Sequence, residues 1–222
     1  MTVAERLEAV RARIAAAGGS GVRIVAVTKG FGADAIEAAV AAGCLDVGES
    51  YAQELLAKMP AVRGPSPVVH FIGHLQTNKV KHLAPVVDVW QSVDRVAAID
   101  AIERHAAPGS AVLVQVNVSG APQQGGCEPE ATPALVEAAA NAGLHVAGLM
   151  AIGQAGAAVD AGAGFRLLRR LVDDLGLAEC SMGMTADLEV AVQEGSTMVR
   201  VGTAVFGPRP TARSHQRAVQ AN

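Results

Sequence analysis

Eight short runs of apolar, largely β-branched residues alternate with alanine-rich helical patterns along this chain, and that alternation limits the fold more than any other feature of the sequence. The runs are VRIVAVTK (22–29), LDVGES (45–50), VVHFIG (68–73), VVDVWQSV (86–93), AVLVQVNV (111–118), HVAGLMAI (145–152), ECSMGM (179–184) and TMVRVGTAVFG (197–207). Between them lie segments such as ADAIEAAVAAG (33–43), DRVAAIDAIERHA (94–106) and FRLLRRLVDDLG (165–176). Strands separated by helices run parallel, because a parallel neighbour is reached only through a long crossover. Eight such units in 222 residues match a single (β/α)8 TIM-type barrel of the α/β class, with a doubly wound open sheet as the competing arrangement. The barrel is expected to occupy residues 1–209, and the polar segment 210–222 to form a flexible tail.

Composition removes several function classes. Half of the residues are hydrophobic, enough for a sizeable core, and 18 basic against 21 acidic residues leave a net charge of −3. That balance gives no general attraction to nucleic acid or to an acidic membrane surface. Aromatic residues make up only 3%, too few for base-stacking platforms. Cys44, Cys127 and Cys180 are odd in number and follow no metal-ligand spacing, so free thiols in a reducing compartment are expected. The opening MTVAERLEAVRARIAAA reads as an amphipathic helix rather than a signal peptide, and no apolar run reaches bilayer length. A cytoplasmic location follows as the expectation.

In a parallel barrel the chemistry gathers at the C-terminal ends of the strands. Lys29 ends the first run, on the same face as Val25 and Val27, which places its amine at the barrel mouth. The plain alternative is a lysine that has simply reached solvent. A desolvated lysine has a lowered pKa, and its neutral amine forms an imine with an aldehyde. The segments that end the seventh strand and run through and past the eighth carry Gly183 and Gly202, where backbone can approach an anion, and the hydroxyls of Ser181, Thr185 and Thr203. Asp187 stands where it could cap the next helix. Taken singly these are ordinary turns. An aldehyde-seeking lysine beside a phosphate-binding pair of loops points to pyridoxal 5′-phosphate (PLP). Arg200, two residues before Gly202 and on its face, is either an ion-paired arginine or a donor to the pyridine nitrogen. In the second role it keeps that nitrogen unprotonated and weakens the ring as an electron sink.

AVTK (26–29), VGESYAQE (47–54), HFIGHLQTNK (70–79), SVDR (92–95), VNVSGAPQQGG (117–126), GLMAI (148–152) and SMGMTADLEVAVQEGSTMVRVGTAVFG (181–207) resemble the YggS/PROSC family of PLP homeostasis proteins over nearly the whole chain. The resemblance implies a barrel like the N-terminal domain of alanine racemase. It implies PLP on Lys29, phosphate near Ser181, Met182, Gly183 and Thr185 and near Gly202 and Thr203, and Arg200 at the pyridine nitrogen. Ser50 stands where the family has asparagine, which weakens a ring-oxygen contact. Thr28 and Thr185 replace serines and keep the hydroxyl. His74, Gln76 and Asn78 are expected on the cofactor rim, with Lys79 and Lys81 as a basic surface, in preference to a metal site built from His70, His74 and His82. The loop 119–130 is expected to be a solvated connection rather than a cover.

Function then divides between a PLP carrier or buffer in vitamin B6 and amino-acid homeostasis, an amino-acid racemase of weak activity, and a barrel enzyme without PLP. Racemisation by two bases needs a proton donor on each face of the substrate carbon. Related racemases take the second, a tyrosine, from an additional domain, whereas the single tyrosine here, Tyr51, starts a helix. The carrier is the favoured reading, with PLP and PLP-requiring apo-enzymes as partners, no nucleic acid or membrane, and a monomeric chain.

Overall fold

Each apolar run becomes a strand over the part that neighbouring backbone can pair. The computed structural model describes residues 1–153 and 158–209. In it β1 is Arg23–Val27, β2 Asp46–Glu49, β3 Val68–Phe71, β4 Val89–Val93, β5 Ala111–Gln115, β6 His145–Met150, β7 Glu179–Ser181 and β8 Met198–Val201. Neighbours in sequence pair in parallel, and β8 returns to β1 with Val25 opposite Arg200, so the sheet closes. Closure excludes the open-sheet alternative.

The helices are α1 (Val3–Ala16), α2 (Ala33–Ala41), α3 (Ala52–Lys58), α4 (Thr77–Leu83), α5 (Val96–His105), α6 (Thr132–Asn141), α7 (Ala158–Asp174), α8 (Leu188–Gln193) and α9 (Thr203–Phe206). The expected N-terminal helix is α1, started by a capping box in which Thr2 and Glu5 satisfy each other's backbone N–H groups. The eighth run passes beyond its strand, which stops at Val201, and Thr203–Phe206 coils into α9. One local expectation is corrected. Asp187 precedes α8 but does not cap it. Its carboxylate accepts the Met184 N–H at 2.5 Å and so braces the preceding loop. The tail expected at 210–222 lies outside the described residues.

Alternation along each strand sorts side chains between two environments. Outward residues such as Val47, Phe71, Trp90, Val112 and Leu149 pack with Leu55, Leu83, Ile99, Ile102 and Phe165 beneath the helices. Each such buried side chain contributes about 1.5–3 kcal/mol. A second cluster joins Leu7, Val10 and Ile14 of α1 to Val199, Val201 and Val205. Inward residues fill the lumen, where branched aliphatics are the usual occupants. Here the filling is partly polar. Gln91 on β4 reaches Ser181 on β7 and the Met198 sulfur on β8, strands that are not its neighbours, so these side chains cross the barrel. Among the described residues no helix is long and apolar enough to cross a membrane.

Candidate functional site

The C-terminal mouth of the barrel holds a cleft of about 260 Å³. Beyond β1 the chain runs through Thr28 to Lys29, and Lys29 lines this cleft with Ser50, Thr185, Arg200, Gly202 and Thr203. Lys29 is half-buried, and its Nζ makes no hydrogen bond or ion pair among the described residues. Burial, followed by the positive charges of Arg209 and Arg200, pulls its pKa below the ordinary lysine value, against a smaller opposing effect of Glu49 and Glu54. The cleft therefore presents an amine whose charged form is disfavoured by its surroundings and whose nitrogen is not held by a hydrogen bond among the described residues.

The backbone on either side of that amine is clamped. Thr28 Oγ1 donates to Glu49 Oε1 at 2.5 Å, and the buried Lys58 ammonium donates to the Thr28 carbonyl at 2.8 Å and to Glu49 Oε1 at 2.7 Å. Lys58 also pairs with Glu54, whose Oε1 accepts the Gly30 N–H. Burial raises the Glu49 carboxyl above its usual value, although the hydrogen bonds from Lys58 and Thr28 oppose that shift. Its second oxygen, Oε2, has no hydrogen-bond partner among the described residues. Sequence reasoning missed Glu49, Glu54 and Lys58 as parts of the site. The signal was an acidic residue closing an apolar strand, Glu49 in VGESYAQE, with a lysine nine positions on.

Across the cleft, the loop after β7 meets the start of α9. Thr203 Oγ1 lies 3.1 Å from Thr185 Oγ1, and Thr185 Oγ1 accepts the Ala204 N–H at 3.3 Å. The backbone N–H groups of Thr185, Ala186 and Gly202 meet no acceptor among the described residues. A Cβ on Gly202 would stand 3.2 Å from the Val27 carbonyl oxygen, so this position favours a bare backbone. Below these loops Arg200 is buried. Its guanidinium donates to Ser181 Oγ at 2.7 Å and to the Ala151 carbonyl at 2.8 Å. Burial pulls its pKa down to about 10, still well above neutrality, so it remains a cation.

The structure thus brings together Lys29, Ser50, Thr185, Arg200, Gly202 and Thr203. Ser181 and Met182 are fully buried beneath the mouth, and Gly183, at φ +95°, faces Ala191 of α8. His74 lies in a neighbouring cleft that shares Ser50 and also holds Tyr51 and Lys79, while Asn78 is exposed on α4. Phe31, Ile72, Ile152, Met184 and Arg209 complete the Lys29 cleft without having been foreseen. The loop expected to be a plain connection is tied to the barrel. Asn117 donates to the Ala121 carbonyl and Gln124 to the Ile152 carbonyl.

A family model described as alanine racemase, N-terminal domain, matches residues 2–210. The chain is 41% identical over 221 residues to a protein of Pseudomonas aeruginosa called pyridoxal phosphate homeostasis protein, covering 94% of this chain and 96% of that one. Among solved structures it resembles PipY of Synechococcus elongatus, determined with PLP bound, at 32% identity and a TM-score of 0.80 over 93% of this chain and all of that one. Alanine racemase from Corynebacterium glutamicum matches at 15% identity and a TM-score of 0.75, over 95% of this chain and 62% of the racemase, a likeness of fold alone.

Proposed function

We propose, from the premise that this chain belongs to the pyridoxal phosphate homeostasis family, that it binds PLP through a Schiff base on Lys29 and serves as a carrier or buffer of the cofactor. The observation that carries this reading is the unpartnered, half-buried amine of Lys29 facing two hydroxyl-lined loops with free N–H groups. The residues fit the group. The hydroxyls of Thr185 and Thr203 and the bare backbone at Gly202 suit a phosphate, and the apolar walls of Val27, Ile72 and Ile152 suit a planar ring. Arg200 suits an unprotonated ring nitrogen, because a guanidinium only donates. When bound, PLP supplies an aldehyde that a neutral amine captures reversibly. Lys29 provides that amine, Arg200 disfavours a charged ring, and the clamp of Glu49, Lys58 and Glu54 keeps the lysine backbone in place.

Buffering is favoured over racemisation by what lines the cleft. Among the described residues it offers no carboxylate, imidazole, thiol or phenol opposite Lys29, and Tyr51 opens into the adjoining cleft. The purified protein should absorb in the visible with PLP and lose that band on borohydride reduction, with the pyridoxyl group mapping to Lys29. Lys29→Ala should remain folded and yield no adduct. An adduct on another lysine, or rapid D-alanine formation from L-alanine by the unmodified protein, overturns the proposal.

A further inference from the structure

One buried line of polar side chains crosses the barrel and ends at the guanidinium that shares the cleft with Lys29. It begins at Asp46, at the start of β2, and ends at Arg200 in the cleft. Asp46 Oδ1 lies 2.8 Å from His70 Nε2, and His70 Nδ1 lies 2.7 Å from Gln91 Nε2. Gln91 Oε1 lies 2.7 Å from Ser181 Oγ, which lies 2.7 Å from Arg200. His70, Gln91, Ser181 and Arg200 are all buried.

The direction of every bond follows from the ends together with the Gln91 amide, whose nitrogen faces His70 and the Met198 sulfur. A guanidinium has donors only, so Ser181 Oγ accepts from Arg200 and gives its own hydrogen to Gln91 Oε1. The Gln91 amide nitrogen must then donate to His70 Nδ1, and its contact with the Met198 sulfur at 3.1 Å, an acceptor, agrees with that orientation. His70 Nδ1 therefore carries no hydrogen, and Nε2–H donates to the Asp46 carboxylate. Four successive donors point from the cation to the anion, an arrangement in which each bond polarises the next. The Arg200 guanidinium is fixed at two nitrogens, by Ser181 and by the Ala151 carbonyl.

We propose that Asp46, His70 and Gln91 are positioning residues that act through Ser181 to aim Arg200 at the ring nitrogen of the bound cofactor. This assignment rests on the PLP reading given above. The orientation of a group at the C-terminal mouth is thereby set from the opposite end of the barrel. Asp46, His70, Gln91 and Ser181 do not line the cleft.

The experiment uses the full chain, free and loaded with PLP labelled with 15N in the ring. Long-range 15N spectra of the free protein should show His70, assigned by its loss in His70→Gln, as the Nε2–H tautomer. Gln91→Glu offers acceptors at both ends and should place a proton on Nδ1. In the loaded protein, Gln91→Leu should shift the ring 15N resonance toward the protonated value and raise the PLP dissociation constant roughly tenfold, as loss of a supporting residue behind a ligand-binding group does elsewhere. Asp46→Asn, altered only at the solvent-accessible end, should change the His70 tautomer and move the ring signal in the same direction. It also serves as the test if Gln91→Leu fails to fold. An Nδ1–H tautomer in the wild type, or a ring signal that stays fixed while the His70 signal changes, overturns the line. A wild type that gives no pyridoxyl adduct after borohydride reduction overturns the PLP reading instead, and the His70 spectra still decide whether the line exists.

Discussion

Two lysines meet the segment from Thr28 to Gly30 and behave as chemical opposites. Lys58 is buried with its ammonium committed to Glu49, Glu54 and the Thr28 carbonyl, whereas Lys29 is uncommitted and half-buried. Removing one partner from a buried ion pair strands the other. Lys58→Met should therefore lose about 3–5 kcal/mol in urea unfolding, and the double variant with Glu49→Leu should recover much of that loss. The double variant should still hold PLP less tightly, since Thr28 and Gly30 keep fewer anchors. Lys29 itself should react with an amine-specific reagent with a midpoint below the ordinary lysine value of 10.5. Arg209→Ala removes a positive charge that disfavours the protonated amine, so the midpoint should move up. A midpoint unmoved by that change would leave burial and Arg200 as the causes of the shift.

The loops that follow the strands are shaped by backbone crowding that side-chain patterns do not announce. Gly183 sits at φ +95°, and a Cβ there would lie 2.5 Å from the Ala191 Cβ. Gly183→Ala should destabilise the protein by about 1–3 kcal/mol and loosen the loop carrying Thr185, seen as a lower melting temperature together with weaker PLP retention. At the end of β3, a Cβ on Gly73 would come within 2.0 Å of the Ser50 carbonyl oxygen, so Gly73→Ala must displace the Ser50 side of the cleft. The eight strands were legible because their apolar runs alternate with helical segments, and Lys29 was legible because it breaks such a run. The turn at α9 was not. Its Thr-Ala-Val-Phe favours extended backbone by local preference, yet Val205 is drawn into the pocket formed with Leu7, Val10 and Leu188, and Gly207 at φ +81° lets the chain turn out again. Asp187 was placed at the correct position with the wrong partner, since a cap and a loop brace look alike when the fold of residues 184–186 is unknown.

At the scale of the whole molecule, α1 ties the two ends of the barrel wall together. Arg13 donates to both carboxylate oxygens of Glu189 in α8, at 2.6 and 2.9 Å, and to the Thr185 carbonyl at 2.9 Å. The Arg13 hydrogen bond lowers the Glu189 carboxyl below the usual glutamate value of 4.5. The folded state thus releases this proton more readily than the unfolded chain. Its stabilisation is present above pH 4.5 and disappears as pH falls through the lowered value. Glu189→Gln should be less stable than the wild type near neutrality, by up to about 1 kcal/mol for so exposed a pair, and the two unfolding curves should converge in acid. Barrel closure could be inferred from the sequence, and the family resemblance stated there is the one the comparisons support. The line from Asp46 to Arg200 could not, because it depends on which inward side chains of five separate strands meet across the lumen. The pairing of β1 with β8 carries one more consequence. Lys29 follows the first strand and Thr203 follows the last, so the cleft straddles the seam where the two ends of the barrel meet. A nascent chain has no such cleft until its eighth strand has left the ribosome. On the reading proposed above, a ligand held between Lys29 and Thr203 would join the two ends of the barrel wall and act as a clasp against its reopening along that seam.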